Sequence, residues 1–146
     1  MHDRIVDRVL QATAQEGMGS TESFILRFDV MILFVSAALR HLHTADPPDT
    51  LRAQMLWEIT FEGLEESLRS RGVSDLRMAS RMRKLLQNAM GRRNAYLKAW
   101  DEPEAMRAAI ARNVFNGADA GDPRVDMLLT HLSGLAASVL EPTATP

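Results

Sequence analysis

Apolar residues recur with helical spacing in every long segment of this chain, and no stretch alternates as a β-strand does. Prolines and glycines separate the segments, because proline cannot continue a helix and glycine readily adopts the backbone conformation that ends one. The pattern predicts an all-α fold. With 146 residues, the chain fits one domain. We predict a single-domain bundle of about six helices over residues 1–141, with a disordered tail at residues 142–146.

The helix boundaries follow from capping residues and breaks. The first four helices are predicted at about residues 3–16, 21–43, 50–71 and 77–100, the third with Asp49 or Thr50 as its N-cap. A fifth helix is predicted to begin within Asp101–Glu104, with Asp101 as its N-cap, and to end at Asn116–Gly117. A sixth is predicted from Asp122–Pro123 to about Leu140.

The second helix is apolar on nearly all sides, with a stripe that includes Phe28, Ile32, Val35 and Leu39. A helix of this kind belongs at the centre of a bundle. The third helix carries two apolar stripes instead. One contains Leu51, Met55 and Ile59, and the other contains Trp57, Phe61, Leu64 and Leu68. We expect one stripe to pack inward, and we predict that Trp57 or Phe61 lies at an exposed apolar patch beside the fourth helix.

The fourth helix is strongly basic. Nine Lys or Arg residues and one acid, Asp75, lie between Arg69 and Lys98, so this block carries a charge of +8 in a protein of net charge −2. Four of its cations fall within an arc of about 100° and form one basic ridge: Arg77, Arg81, Lys84 and Arg92. The residues expected on the inner side of the helix are Met78, Met82, Leu85, Leu86, Ala89 and Met90.

Two interpretations of the ridge remain open. It is either a solvated face whose charge balances the acidic third helix, or a contact surface for an acidic partner, a ribosome or anionic lipid. Tyr96 and Trp100 are the nearby aromatic residues, which is too few for stacking along single-stranded nucleic acid. We predict that Arg81, Lys84 and Arg92 contribute more to binding than to folding.

Little in the sequence indicates chemistry at a site. The absence of cysteine excludes disulfide scaffolds, thiolate metal sites and cysteine nucleophiles. His41 and His43 lie two residues apart, so on one regular helix they point in nearly opposite directions and cannot share a metal ion. The Glu58–Glu66 cluster lacks a Glu-x-x-His partner elsewhere. We therefore predict no enzyme activity, no catalytic, cofactor or metal site, and no small-molecule substrate.

Between Arg27 and Phe115, a series of residues agrees in order and spacing with a known family. It comprises Arg27-Phe28-Asp29, Gln54-x-Leu56-Trp57-Glu58-x-x-Phe61, Ser67-Leu68-Arg69, Gly72-Val73-x-Asp75-Leu76, Arg81, Lys84, Gly91-Arg92-x-x-x-Tyr96 and Arg112-Asn113-Val114-Phe115. In these residues the chain resembles the ubiquinol–cytochrome c chaperone family, whose members assist assembly of ubiquinol–cytochrome c reductase.

The resemblance implies an all-helical chaperone that binds newly made cytochrome b. The partner-binding residues expected for this chain are Trp57, Phe61, Arg77, Arg81, Lys84, Arg92, Arg93 and Tyr96. The ribosome and the membrane surface are further expected partners, without recognition of a specific nucleic-acid sequence. The N-terminal residues resemble neither a signal peptide nor an Arg- and Ser-rich presequence. We therefore expect a cytoplasmic bacterial member, able to lie against the inner membrane.

Two alternatives to the chaperone differ from it in testable ways. A phosphate-backbone binder using the basic residues from Arg77 to Arg93 would lose affinity steeply with salt and would ignore protein clients. A helical enzyme would need several arginines to converge in an enclosed pocket rather than lie along one convex helix.

Overall fold

Six α-helices build the protein in the computed structural model, which describes residues 1–15, 18 and 23–136. They are α1 (His2–Thr13), α2 (Phe24–Thr44), α3 (Thr50–Ser70), α4 (Asp75–Ala99), α5 (Pro103–Val114) and α6 (Pro123–Leu135). The predicted all-α fold of about six helices is confirmed. The predicted tail at residues 142–146 and the end of the sixth helix near Leu140 lie outside the described residues.

Helix α2 is the centre of the bundle and packs against every other helix. All residues from Ile32 to Leu39 are buried, as predicted from a helix that is apolar on nearly all sides. Full burial of one large aliphatic or aromatic side chain contributes roughly 1.5–3 kcal/mol. The surrounding helices each offer an apolar stripe to α2, such as Ile5, Val9 and Ala12 on α1.

Helix starts follow the capping chemistry of the sequence in part. The Asp49 and Asp122 side chains accept hydrogen bonds from the backbone N–H groups of Arg52 and Arg124, and each caps its helix as predicted. The predicted cap at Asp101 is wrong. Glu102 is the N-cap of α5 and makes no side-chain cap bond. The Asp101 carboxylate instead accepts a hydrogen bond from Arg40 at 3.2 Å.

Helix α4 is the least buried of the long helices. Only Met78, Ala89 and Tyr96 are buried among its 25 residues. The prediction that Leu86 and Met90 lie on its inner side is wrong, since both side chains are exposed. The buried face of α4 is therefore narrower than its apolar composition indicates.

A second, smaller apolar cluster holds α4 against α2 and α3. Phe28, Ile32, Leu64 and Ala89 form its buried part, and half-buried Trp57, Phe61, Met82 and Leu85 pack around it. The antiparallel α3–α4 hairpin turns at Gly72, where the backbone has a φ of +91°. This turn places the start of α4 beside the end of α3.

We expect Gly72→Ala and Gly91→Ala to change stability in opposite directions. A side chain at Gly72 has open space but must adopt the left-handed backbone, which costs about 1–2 kcal/mol. Gly91 lies inside α4, where an added Cβ also meets nothing within 4 Å, so alanine stabilises the helix by about 0.5–1 kcal/mol. Urea unfolding of both variants measures the two effects. A destabilised Gly91→Ala protein would contradict this prediction.

Candidate partner-binding surfaces

The two apolar stripes of α3 have different environments. Leu64 and Leu68 are buried against the bundle, and Trp57 and Phe61 are half-buried beside them. The second stripe stays in solvent. Its residues are Leu51, Met55 and Ile59, which are 68%, 58% and 44% exposed. The Leu51–Met55–Ile59 stripe is therefore the part of α3 that is free to contact a partner.

Trp57 and Phe61 lie at the seam between α3 and α4. Their ring centroids are 5.0 Å apart, and the Arg93 guanidinium covers the Trp57 ring at 4.6 Å from its centroid. Such a cation–π contact holds an arginine across an aromatic face. Both rings are half-buried. The exposed Leu86 and Met90 precede Arg93 by seven and three residues, so they share its edge of α4.

A shallow groove of about 520 Å³ runs along the outer side of α3. Its lining combines the exposed stripe with residues of the α1 N-terminus: Met1, His2, Asp3, Arg52, Met55, Leu56, Glu58, Ile59 and Glu62. The groove is thus apolar along Met55 and Ile59 and polar at its rim.

The basic ridge remains on the surface in three of its four members. Arg77, Arg81 and Lys84 are exposed. Arg81 and Lys84 border a groove of about 240 Å³ between α4 and the start of α2. Arg93, also predicted to bind a partner, is half-buried over Trp57 on the opposite edge of α4.

Arg92 has a structural contact that the sequence analysis missed. Its guanidinium donates to the carboxylate of Asp29, a buried residue of α2, and lies over the Phe28 ring at 5.6 Å from its centroid. Partial burial lowers the pKa of Arg92. Arg92 therefore has a structural role beside the predicted one in binding, because a carboxylate inside an apolar bundle needs a cation beside it.

Tyr96 was predicted to bind a partner, and its burial corrects this prediction. The side chain is buried in the core, and burial raises the pKa of Tyr96 to about 12, with Arg92 and Asn113 opposing the shift. Neither its hydroxyl nor the Asn113 side-chain nitrogen completes a hydrogen bond within the described residues. Tyr96 lies seven residues after buried Ala89, a spacing that already placed it on the inner stripe of α4.

The described residues, 1–15, 18 and 23–136, contain no helix long and apolar enough to cross a membrane. Over the same residues, no three metal-ligating side chains come together. The surface offers an apolar stripe on α3 and a basic ridge on α4 that lie outside the hydrophobic core. An all-α domain with such faces is typical of proteins that bind other macromolecules.

A family comparison makes this class specific. The family model described as "Ubiquinol-cytochrome C chaperone" matches residues 16–144. The chain belongs to the ubiquinol–cytochrome c chaperone family, which supports a chaperone role in assembly of the reductase. No curated protein and no solved structure gives a significant match.

Removing the Arg92 side chain should destabilise the fold more than removing its neighbours on the ridge. We expect Arg92→Ala to lower the unfolding free energy by about 2–4 kcal/mol, because Asp29 is then left without its counter-charge in the bundle. The matched controls Arg81→Ala and Lys84→Ala should each cost under about 0.5 kcal/mol. Denaturant unfolding tests all three. Equal stability of the three variants would show that the pair with Asp29 contributes nothing.

Proposed function

We propose that this protein binds newly made cytochrome b through the exposed stripe of α3 and holds it during assembly of ubiquinol–cytochrome c reductase. Membership of the chaperone family supports a client in that complex. The observation that carries the proposal is the exposure of Leu51, Met55 and Ile59 on a helix whose opposite stripe is already committed to the bundle.

The stripe matches one side of an unassembled membrane helix. Leu51, Met55 and Ile59 stand four residues apart, so the row extends for about 12 Å along α3. A helix of cytochrome b that has not yet received its cofactor exposes apolar side chains that lack packing partners. The three side chains are 44–68% exposed, so burying their exposed parts contributes roughly 3–5 kcal/mol before the cost of association is subtracted. The resulting contact is weak enough for later release.

Polar residues beside the stripe restrict the orientation in which a partner can bind. Arg52, Glu58 and Glu62 line the same groove as Met55 and Ile59. Polar groups at the rim of an apolar contact select orientation and partner more than they add affinity. In the proposal, the edges of Trp57 and Phe61 form a secondary contact on the other side of α3. The proposed place of action is the cytoplasm, next to the inner membrane where cytochrome b is inserted.

Phosphate-backbone binding, for example to a ribosome, is the second candidate function. It is favoured by the exposure of Arg77, Arg81 and Lys84 in one row of α4. The ridge is convex and carries no exposed aromatic residue for base stacking, since Tyr96 is buried and Trp100 is half-buried. Contact would therefore be made with the backbone and not with bases.

We expect the double variant Met55→Ser, Ile59→Ser to lose the client. The measurement is the amount of cytochrome b that co-purifies with the tagged protein from its own cells, and the expected loss is about tenfold or more. The matched control is Leu86→Ser, Met90→Ser, which replaces two exposed apolar residues at the same spacing on α4. The control should retain cytochrome b.

The two double variants also locate the contact if it lies elsewhere. Loss of cytochrome b in the α4 variant alone would move the client to the seam beside Trp57 and Phe61. Retention in both variants would refute contact through either apolar surface. Thermal unfolding of each purified variant confirms that the bundle is intact, since all four side chains are exposed.

Deletion of the protein should lower assembled reductase, with cytochrome b the first subunit to fail. Without a partner, apocytochrome b leaves apolar and polar interior surfaces uncovered before cofactor insertion, and it is open to degradation. Absorbance spectra of membranes from the deletion strain should show loss of the b-type haem signal, restored by the wild-type gene. Normal spectra and normal reductase content would refute the role in cytochrome b assembly.

A further inference from the structure

The groove between α2 and the basic ridge of α4 has two chemically different walls. Its lining consists of Phe24, Ile25, Phe28, Asp29, Arg81, Lys84, Leu85, Asn88 and Arg92. The α2 wall is mostly apolar and ends at Ile25, which is 66% exposed. The α4 wall carries cations at its outer edge. The groove therefore places an exposed aliphatic side chain beside positive charge.

The cations of this wall keep their charge available to an external partner. Among the described residues, no carboxylate forms an ion pair with Arg77, Arg81 or Lys84. Asp29, the carboxylate in the groove, is paired with Arg92 below them. Arg81 and Lys84 therefore carry positive charge that no described carboxylate in the groove balances, since Asp29 is already paired with Arg92. We call these two residues the basic edge.

A second aliphatic side chain stands at the same end of the molecule. Leu76 is 96% exposed, lies in the first turn of α4 about 12 Å before Lys84, and points about 80° around the helix from Lys84. Arg71, which follows the last residue of α3, covers the Phe24 ring at 5.5 Å from the centroid, so the α3–α4 turn lies beside the start of α2. Exposed Ile25 and Leu76 thus border the basic edge on two sides.

We propose that this face docks on an anionic lipid bilayer, with lipid phosphates contacting Arg77, Arg81 and Lys84 while Ile25 and Leu76 enter the interfacial layer. The combination of basic and aliphatic side chains on one face is what interfacial binding to anionic lipid requires. The contact uses a different surface from the Leu51–Met55–Ile59 stripe, so it goes beyond the proposed function and does not depend on the identity of the client.

The aliphatic residues favour lipid over nucleic acid as the partner. A phosphate backbone would satisfy the cations but would give Leu76 and Ile25 no apolar environment. Bases would require exposed aromatic rings for stacking. The aromatic residues near the groove are instead engaged, because Phe24 stacks on Phe28 at 6.4 Å between centroids and lies under Arg71.

Vesicle sedimentation of the full chain tests the docking face. The wild-type protein should sediment with vesicles of phosphatidylcholine and phosphatidylglycerol and stay in solution with phosphatidylcholine alone. Arg81→Glu, Lys84→Glu should weaken binding at least about tenfold, because each basic residue near an anionic surface contributes about a factor of five. Ile25→Ser should weaken vesicle binding several-fold at unchanged net charge.

The matched control is Lys98→Glu, Arg112→Glu, which replaces two exposed cations and changes the net charge by the same −4. Lys98 lies in the last turn of α4 and Arg112 acts electrostatically on Tyr96, so both are remote from the segment between Leu76 and Lys84. This control should retain binding if the docking face is local. Equal weakening of both double variants would overturn the proposal, since it would show attraction to net charge alone.

An RNA oligonucleotide distinguishes lipid phosphate from the phosphate backbone of a nucleic acid as the partner. Lipid docking predicts that Ile25→Ser changes vesicle binding and leaves any RNA binding unaltered. Binding of RNA through Arg81 and Lys84 without binding of anionic vesicles would overturn the proposal in favour of a nucleic-acid contact. An unchanged vesicle affinity of Ile25→Ser would also overturn it. None of these outcomes alters the co-purification test of cytochrome b.

Discussion

The burial of α2 on nearly all sides is the constraint on which the rest of the structure depends. A helix with no polar face has to be surrounded, so the other five helices each contribute one side to covering it. Because one apolar stripe per helix is enough for this purpose, any second stripe remains in solvent. The exposed side of α3 is such a remainder, and it is available for contact without any loss of core packing.

Asp29 adds specificity to this arrangement. An acid in the first half of α2 enters the bundle where α4 crosses, and it is stabilised by a cation that reaches it from α4. We infer that this ion pair selects one packing arrangement of α4, since any shift of α4 along α2 would separate the charges. The pair thus aligns α4, and with this alignment Arg81 and Lys84 lie over the groove beside Ile25.

The sequence was sufficient for the helix order, the central place of α2 and the caps at Asp49 and Asp122, since these depend on local patterns. It failed where residues distant in the chain compete for one group. Asp101 looked like a cap but binds Arg40, 61 residues away. Arg92 looked like part of a solvated ridge, yet its partner Asp29 is 63 residues distant. Periodicity gives the relative directions of side chains on a helix, but not where the covered arc ends, so Leu86 and Met90 were assigned to the wrong side of α4.

The sparse burial of α4 has a consequence for the motions of the bundle. Local opening costs free energy in proportion to the contacts that it breaks, and α4 has only three buried residues to detach. We therefore expect its amide hydrogens to exchange with solvent through a lower-energy opening than those of α2. When α4 separates, it uncovers Phe28, Ile32 and Leu64 on the two helices that stay in place. Local opening of α4 thus exposes additional apolar surface while the packing around α2 is retained.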